Sequence, residues 1–452
     1  MIGFDYGTSN CAVATMQNGQ PKMLTLGEHG KFMSSSLYAP SRDVIPNWLH
    51  KNINEPYKST FANSRGFLIS KGQEALEDLR YDGIPEHLSF GKSALERYLD
   101  DPSEGYYIKS PKSLLGTSGL LPQQIVFFEH IVAAMMAHVK HHVEEELQHD
   151  VTKVVIGRPI NFQGRNSEQS NKQAIEVLTN AARHVGYQDI EFQYEPVAAG
   201  FEYEASLKQE TRVLVVDIGG GTTDCSMLLM GPELMNKADR SAALLGHSGL
   251  RVGGNDFDIQ LALKGVMPNL GINGKLKSGK PMPVNSYFKA VAINDVNAQT
   301  DFYSDANGRF LEQLQRDSEQ PEILGRLLKA YNEKLSYQLV NSAEQAKILL
   351  TESNSNNIDL GYLTENLSQD VDRNLFLEAS ENQLNSIAKL MSEAVNQGGA
   401  EPDVIFVTGG TAKSPVINDF IKSKFGNKPV VVGDHFGSVT AGLSRWAETI
   451  FK

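Results

Sequence analysis

Two short stretches of this chain carry the residue types that hold a polyphosphate. The first reads Asp5-Tyr6-Gly7-Thr8-Ser9-Asn10-Cys11, and the second Asp217-Ile218-Gly219-Gly220-Gly221-Thr222-Thr223-Asp224-Cys225. Both fit Asp-x-Gly followed by Thr-[Ser/Thr]-[Asn/Asp]-Cys, with two extra glycines in the second. A turn of Gly, Ser and Thr aims backbone N–H groups and hydroxyls at one point, which makes an anion nest. Glycine is needed where the backbone must reach positive φ or approach an oxygen closely. Gly7, Thr8, Ser9 and Asn10 would then face Gly219, Gly220, Gly221, Thr222 and Thr223 as two halves of one clamp. One such turn could be an unrelated glycine turn beside a chance carboxylate. Two at equivalent places in two halves of a chain argue for a shared ligand.

An acidic set accompanies the clamp: Asp5, Asp217, Asp224 and Glu195. Mg²⁺ prefers few carboxylates, several waters and substrate phosphates, and Asp5 and Asp217 suit that role. Glu195 opens Glu195-Pro196-Val197-Ala198-Ala199-Gly200, a strand-to-helix junction. A carboxylate there can orient water for attack on a γ-phosphate; taken locally, it also reads as an acid favoured by a helix N-terminus. Lys112, in Ser110-Pro111-Lys112-Ser113-Leu114, could stabilise a transferring phosphoryl group, although its neighbours alone suggest an ordinary surface lysine. Glu344 and Lys347 lie three apart on one helix face. They could grip ribose hydroxyls while Gly409 and Gly410 admit a flat base; locally, a surface ion pair explains them as well.

These residues need strands and helices to position them. Apolar runs flank both glycine turns, so each turn is expected to join a β-hairpin. Apolar residues at helical spacing predict a helix over Pro122–Gln148. Further helices are expected over Ser93–Leu99, Gln169–Val185, Pro196–Leu207, Tyr331–Leu350, Asn374–Val395, Pro415–Phe425 and Val439–Phe451. Ser414 before Pro415 is a strong start signal. Buried strands are expected at Val151–Gly157, Ile190–Gln193 and Val404–Thr408. Residues 41–89 are polar with little periodicity and read as an insertion or small subdomain. Residues 268–340 hold Gly-, Pro- and Asn-rich stretches and read as a second insertion. Strands and helices alternate in each half, which predicts an α/β fold of two related lobes around a nucleotide cleft. Lobe I is expected over 1–210, with core 1–40 and 110–210 and an inserted subdomain 41–109. Lobe II is expected over 211–452, with core 211–255 and 355–452 and an inserted subdomain 256–354.

The 452 residues are 40% apolar, and length alone suggests about three domains. With 42 basic and 54 acidic residues the net charge is −12, and no basic run occurs, which argues against general nucleic-acid binding. The longest apolar run, near Ile131–Val139, falls short of a membrane span. The first strand begins at Met1 without a basic and apolar leader, so a cytoplasmic protein with no membrane association is expected. Two cysteines cannot build a disulfide framework. Cys11 and Cys225 read better as small buried hydrophobes than as a redox pair. His138 and His142, four apart on a helix, read better as part of a solvated face than as metal ligands.

At this point the motifs match a family. IGFDYGTSNCAVA, QYEPVAAGFEY, VVDIGGGTTDCSM, RVGGNDFDIQL, EQAKILL and FVTGGTAKSPVI occur in the order found in the ATPase domain of heat-shock protein 70 chaperones. The chain resembles the single-domain, YegD-type members, and the likeness weakens over 41–89 and 268–340. The resemblance implies the two-lobed fold of the actin-like and heat-shock ATPases. It also implies binding of ATP and ADP with Mg²⁺, with K⁺ as a further candidate ion, and slow ATP hydrolysis driving lobe closure. Asp5 and Asp217 would hold Mg²⁺ through water, with Asp224 at a metal or monovalent-ion site. Thr8 and Thr222 would bind phosphates, and Lys112 would sit by the γ-phosphate. Glu195 would position the lytic water. Glu344 and Lys347 would bind ribose, and Gly254, Gly409 and Gly410 would complete the nucleotide site. Lys413 stands where the family carries an arginine stacked on adenine; lysine stacks less well.

The family's linker and peptide-binding domain are not expected after Lys452. Glu191 stands where an arginine used by J-domain partners is usual, so standard co-chaperone stimulation is not expected. The loop Gln163–Asn171 is longer than usual, and Pro159 of the family's switch is present. The partner or client is left unspecified, with insertion 268–340 as the candidate surface. Three other readings share the fold: a small-molecule kinase, an ATP-dependent filament former, and a nucleotide-gated scaffold.

Overall fold

A computed structural model describes the chain except residues 103–104, 163–166, 236, 238–240, 427, 434–436 and 452. The first four positions of the long loop at Gln163–Asn171 and the terminal Lys452 therefore lie outside the described residues. The chain forms two compact units. The first comprises Met1–Gly253, Ile387–Ala412 and Phe425–Lys452, and the second comprises Gly254–Ser386 and Lys413–Lys424.

The first unit holds two mixed sheets of the same design. One runs in the order Gln20–Met23, Asn10–Gln17, Ile2–Tyr6, Lys153–Arg158, Asp189–Tyr194. The other runs Leu244–Leu250, Thr223–Met230, Thr211–Ile218, Val404–Thr408, Val430–Val432. In each, an antiparallel hairpin supplies the central strand, and two parallel strands continue the sheet from it. Parallel neighbours buried on both faces need continuous apolar runs, and Val213–Val216 and Val404–Val407 supply them.

Helix Pro122–Leu147 packs its apolar stripe into a core with Ile2, Phe4, Val154 and Ile156 of the first sheet. A second core gathers Val155, Val197, Val213, Val215, Phe406 and Leu443. The last helix, Ser438–Ile450, crosses this core at close range. A Cβ on Gly442 would lie 1.7 Å from the Ala198 carbonyl oxygen, and one on Gly3 would lie 2.3 Å from the Ser444 nitrogen. Neither backbone can retreat, so Gly442→Ala is expected to cost about 3 kcal/mol by overpacking. Urea unfolding of wild type beside the variant measures this; an unchanged midpoint would mean that the last helix does not touch Ala198 there.

Residues 41–89 are more regular than their composition suggests. They form helices Val44–Asn52 and Tyr57–Tyr81. The longer one buries only Phe61, Gly72, Leu76 and Leu79, and non-helical backbone at Arg65 interrupts it. So thin a stripe, broken once, leaves no clear 3.6-residue period. The helix expected over Tyr331–Leu350 is divided: one helix ends at Asn332, Lys334 adopts φ 53°, and the next begins at Ser336.

The second unit is mainly helical with one two-stranded sheet, Ser355–Asp359 against Ser368–Asp372. Phe257 packs edge-on against Phe376 in its interior. No helix among the described residues is long and apolar enough to cross a membrane.

The histidine face also differs from expectation. His138 stacks on Phe90 with ring centroids 4.2 Å apart, and its Nε2 lies 3.1 Å from His29 Nε2. It is thus packed rather than solvated. Among the described residues, no group of three or more His, Cys, Asp and Glu gathers closely enough to hold a metal.

Candidate phosphate and metal site

The two glycine turns have matching geometry. Tyr6 pairs with Cys11 and Ile218 with Thr223 across the hairpins, so Gly7–Asn10 and Gly219–Thr222 are turns of equal length. Gly7 N–H donates to Asn10 O at 3.1 Å, and Gly219 N–H to Thr222 O at 3.0 Å. This shifts the match suggested by residue type. Thr8 corresponds to Gly220, not Thr222, and the extra glycines displace Thr222, Thr223, Asp224 and Cys225 along the outgoing strand. Cys225 accordingly pairs with Val216, and Asp224 with Asp217.

The turns meet. A Cβ on Gly220 would fall 1.8 Å from Ser9 Oγ, and one on Gly221 would fall 2.8 Å from Thr8 Cγ2. Gly253 lies against the same turn, its Cβ position 2.7 Å from both Gly220 C and Gly221 N. Thr223 Oγ1 donates to Val252 O at 2.7 Å, and Thr411 Oγ1 to Gly219 O at 3.2 Å. Gly409 follows strand Val404–Thr408 at φ 90°, with Asp217 Oδ1 2.7 Å from where its Cβ would be. Gly410 opens the short helical turn after it.

Lys112 is 3% exposed, which overturns the surface reading. Its Nζ donates to Gly157 O at 3.2 Å and forms an ion pair with Glu195. Two of its three donors are thus engaged among the described residues. Glu195 is the first residue of helix Glu195–Glu204 and is itself buried. The short helix Pro111–Leu114 presents Lys112 from the other side of the site, after Ser110 turns the chain at φ 57°.

The carboxylates crowd around this pair. Burial and then Glu195 raise Asp5 to about 7, with Lys112 acting the other way. Burial, then Glu195, Asp224 and Asp5 push Asp217 well above the usual carboxylate range. Burial and Glu195 raise Asp224 to about 7, despite the Ile160 N–H that donates to its Oδ1 at 2.8 Å. Its Oδ2 is buried with no hydrogen-bond partner. Buried carboxylates that repel one another are relieved by taking up protons or by a cation, so the set fits a cation site.

A narrow recess here is lined by Thr8, Lys112, Ser113, Gly221, Thr222 and Arg251. Arg251 opens the RVGGNDFDIQL motif, but the sequence reading gives it no role of its own, because no periodicity marks it. Arg158 is likewise given none. Its guanidinium lies 4.9 Å from the Tyr194 ring and 5.7 Å from the Phe162 ring, beside Pro159.

Gly254, Glu344, Lys347 and Lys413 belong to the second unit. There Lys347 pairs with Asp258 at 2.6 Å and donates to Gly254 O at 3.3 Å. Both cysteines are buried free thiols. Burial raises Cys11 to about 12 and Cys225 well above the usual thiol value, the opposite of what a reactive thiol needs. Glu191 is exposed on strand Asp189–Tyr194.

A family model described as Hsp70 protein matches residues 122–264. The chaperone protein dnaK of Thalassiosira pseudonana is 24% identical over 445 residues, covering 95% of this chain and 59% of that protein. Heat shock 70 kDa protein 7, chloroplastic, of Arabidopsis thaliana is 23% identical, covering 95% and 49%. The chaperone protein dnaK3 of Synechococcus elongatus is 22% identical, covering 95% and 47%. The chain therefore spans about half to three fifths of the length of these curated relatives.

Proposed function

We propose that this chain, related along 95% of its length to the heat-shock protein 70 family, binds ATP with Mg²⁺ and hydrolyses it slowly to ADP and phosphate. The observation that carries the reading is the meeting of two glycine turns beside the buried Lys112–Glu195 pair. Backbone N–H groups of Thr8–Asn10 and Gly220–Thr222 bind phosphate oxygens, assisted by the hydroxyls of Thr8, Ser9 and Thr222; the Gly7 and Gly219 N–H groups close the turns, and the Thr223 hydroxyl is held by Val252 O. Asp5 and Asp217 hold hydrated Mg²⁺, with Asp224 at a second cation position; the ion supplies charge neutralisation on the phosphates. Lys112 stabilises charge on the transferring group, and Glu195 orients water and takes its proton. Arg251 adds a second positive charge to the phosphate end. Glu344, Lys347 and Lys413, with Gly254, Gly409 and Gly410, serve ribose and base.

Lobe closure driven by nucleotide, with lobes divided near 210/211, is the output of this cycle. That output regulates a protein partner in a chaperone-related role. Glu191, acidic and exposed, disfavours recognition by standard J-domain partners. ATP affinity and phosphate release with and without Mg²⁺ test the core of the proposal. Mg²⁺-dependent binding with stoichiometric ADP and phosphate supports it. Absence of binding, or transfer of the phosphoryl group to a sugar acceptor, overturns it.

A further inference from the structure

Helix Tyr57–Tyr81 lies where the family resemblance weakens, and the ATPase reading makes no use of it. Between this helix and helix Ser167–His184 opens a pocket of about 320 Å³, within the size range of small-ligand sites. Tyr57 and Arg65 line one side, Asn180, Arg183 and His184 the other, and Glu129 closes the back.

Glu129 is 4% exposed, and both its oxygens are taken. Oε1 accepts from Arg65 at 3.0 Å and pairs with His184 Nε2 at 2.8 Å; Oε2 accepts from Asn180 at 3.1 Å. Burial alone would raise this carboxyl, but His184, Asn180 and Arg65 together hold it down at about 2. It stays ionised and satisfied, so an entering cation finds no open carboxylate.

What remains unspent is donor capacity. Arg65 uses three of its five N–H groups, on Glu129, His130 Nε2 and Ser64 O. Arg183 is exposed, and its side chain makes no ion pair or hydrogen bond among the described residues. Tyr57 OH accepts from Gln188 at 2.7 Å, which leaves its proton to donate. The walls are also fixed in advance. Phe61 meets the His184 ring edge-on at 5.1 Å, and the Tyr57 ring lies 2.9 Å from where a Cβ on Gly186 would be. Fixed walls lower the ordering cost of binding.

We propose that this pocket binds a small anionic metabolite, whose carboxylate or phosphate group is clamped by Arg65 and Arg183. A planar guanidinium fork matches either group in bidentate fashion. The 41–89 insertion then serves as half of a ligand site rather than as decoration of the core.

The test titrates pyrophosphate, citrate and, as a cation control, Ca²⁺ into the full chain. The readout is the ¹H–¹³C signal of the His184 ring, assigned with His184→Gln. Pyrophosphate or citrate should shift it saturably, Ca²⁺ should not, and Arg183→Ala should weaken anion binding about tenfold or more. Because Arg183 is exposed, its variant should melt with wild type. Whichever anion binds tighter identifies the head group. No saturable shift with either anion up to about 10 mM, or equal binding by Arg183→Ala, overturns the proposal.

Discussion

Lys112→Met and Glu195→Gln are each expected to cut ATP turnover by about 10²–10³-fold, the usual cost of removing one preorganised electrostatic group. ATP affinity should change far less, because in the proposed complex the backbone nests make most of the phosphate contacts. These substitutions keep the side chains' bulk, which matters at this position. Lys112 and Glu195 form a buried pair, and deleting either partner leaves the other charge uncompensated. Losing Lys112 also removes the cation that lowers Asp5, so that carboxyl rises further and Mg²⁺ binding weakens at neutral pH. Losing Glu195 does the opposite, since Glu195 raises Asp5, Asp217 and Asp224. The single variants should therefore diverge in Mg²⁺ affinity while agreeing in lost turnover. The double variant should be no slower than the worse single one, as expected for residues acting as a unit. Single-turnover phosphate release, Mg²⁺ titration and thermal melting separate these effects. Unchanged turnover in both variants would point to a nucleotide-gated scaffold.

The legible parts of the structure were those with local physical causes. Glycine turns between apolar runs mark hairpins, and both hairpins formed. Long helices with a broad apolar face were legible too, as at Pro122–Leu147. The register of the second turn was not legible, because residue types invite an alignment of the two Thr-containing ends, whereas loop closure depends on strand pairing. The burial of Lys112 was hidden because its partner, Glu195, lies 83 residues further along the chain. The helix over Tyr57–Tyr81 was hidden by its thin stripe and its break at Arg65. Arg158 gave no periodic signal, since a single arginine has no period and its neighbours come from distant segments; Arg251 opens the motif RVGGNDFDIQL, but nothing local gave it a role.

The meeting of the two turns carries the functional proposal, and Gly220→Ala tests it. Gly220 does not require positive φ, so alanine brings no backbone strain there. Any loss comes from its Cβ, placed 1.8 Å from Ser9 Oγ, 2.9 Å from Ser9 Cβ and 3.1 Å from Ser9 N. Overpacking of this kind costs about 1–3 kcal/mol. If the phosphates bridge both turns, that cost falls on the arrangement that binds ATP, and affinity should drop by about 5–100-fold. Ser9→Gly removes the two closest atoms. Alone it should cost little beyond one hydroxyl contact; in combination it should restore most of the loss, with a coupling of about 0.5–3 kcal/mol. Gly253→Ala gives the contrast. Its Cβ would strike backbone atoms of Gly220 and Gly221 at 2.7 Å, which no trimming of Ser9 relieves. Calorimetric ATP affinities for the four corners of the Gly220–Ser9 cycle, with Gly253→Ala beside them, decide the matter. Strict additivity would mean that the turns do not meet around a shared ligand. Strong coupling at Ser9, and none rescuing Gly253→Ala, would mean that one nucleotide is held from both sheets at once.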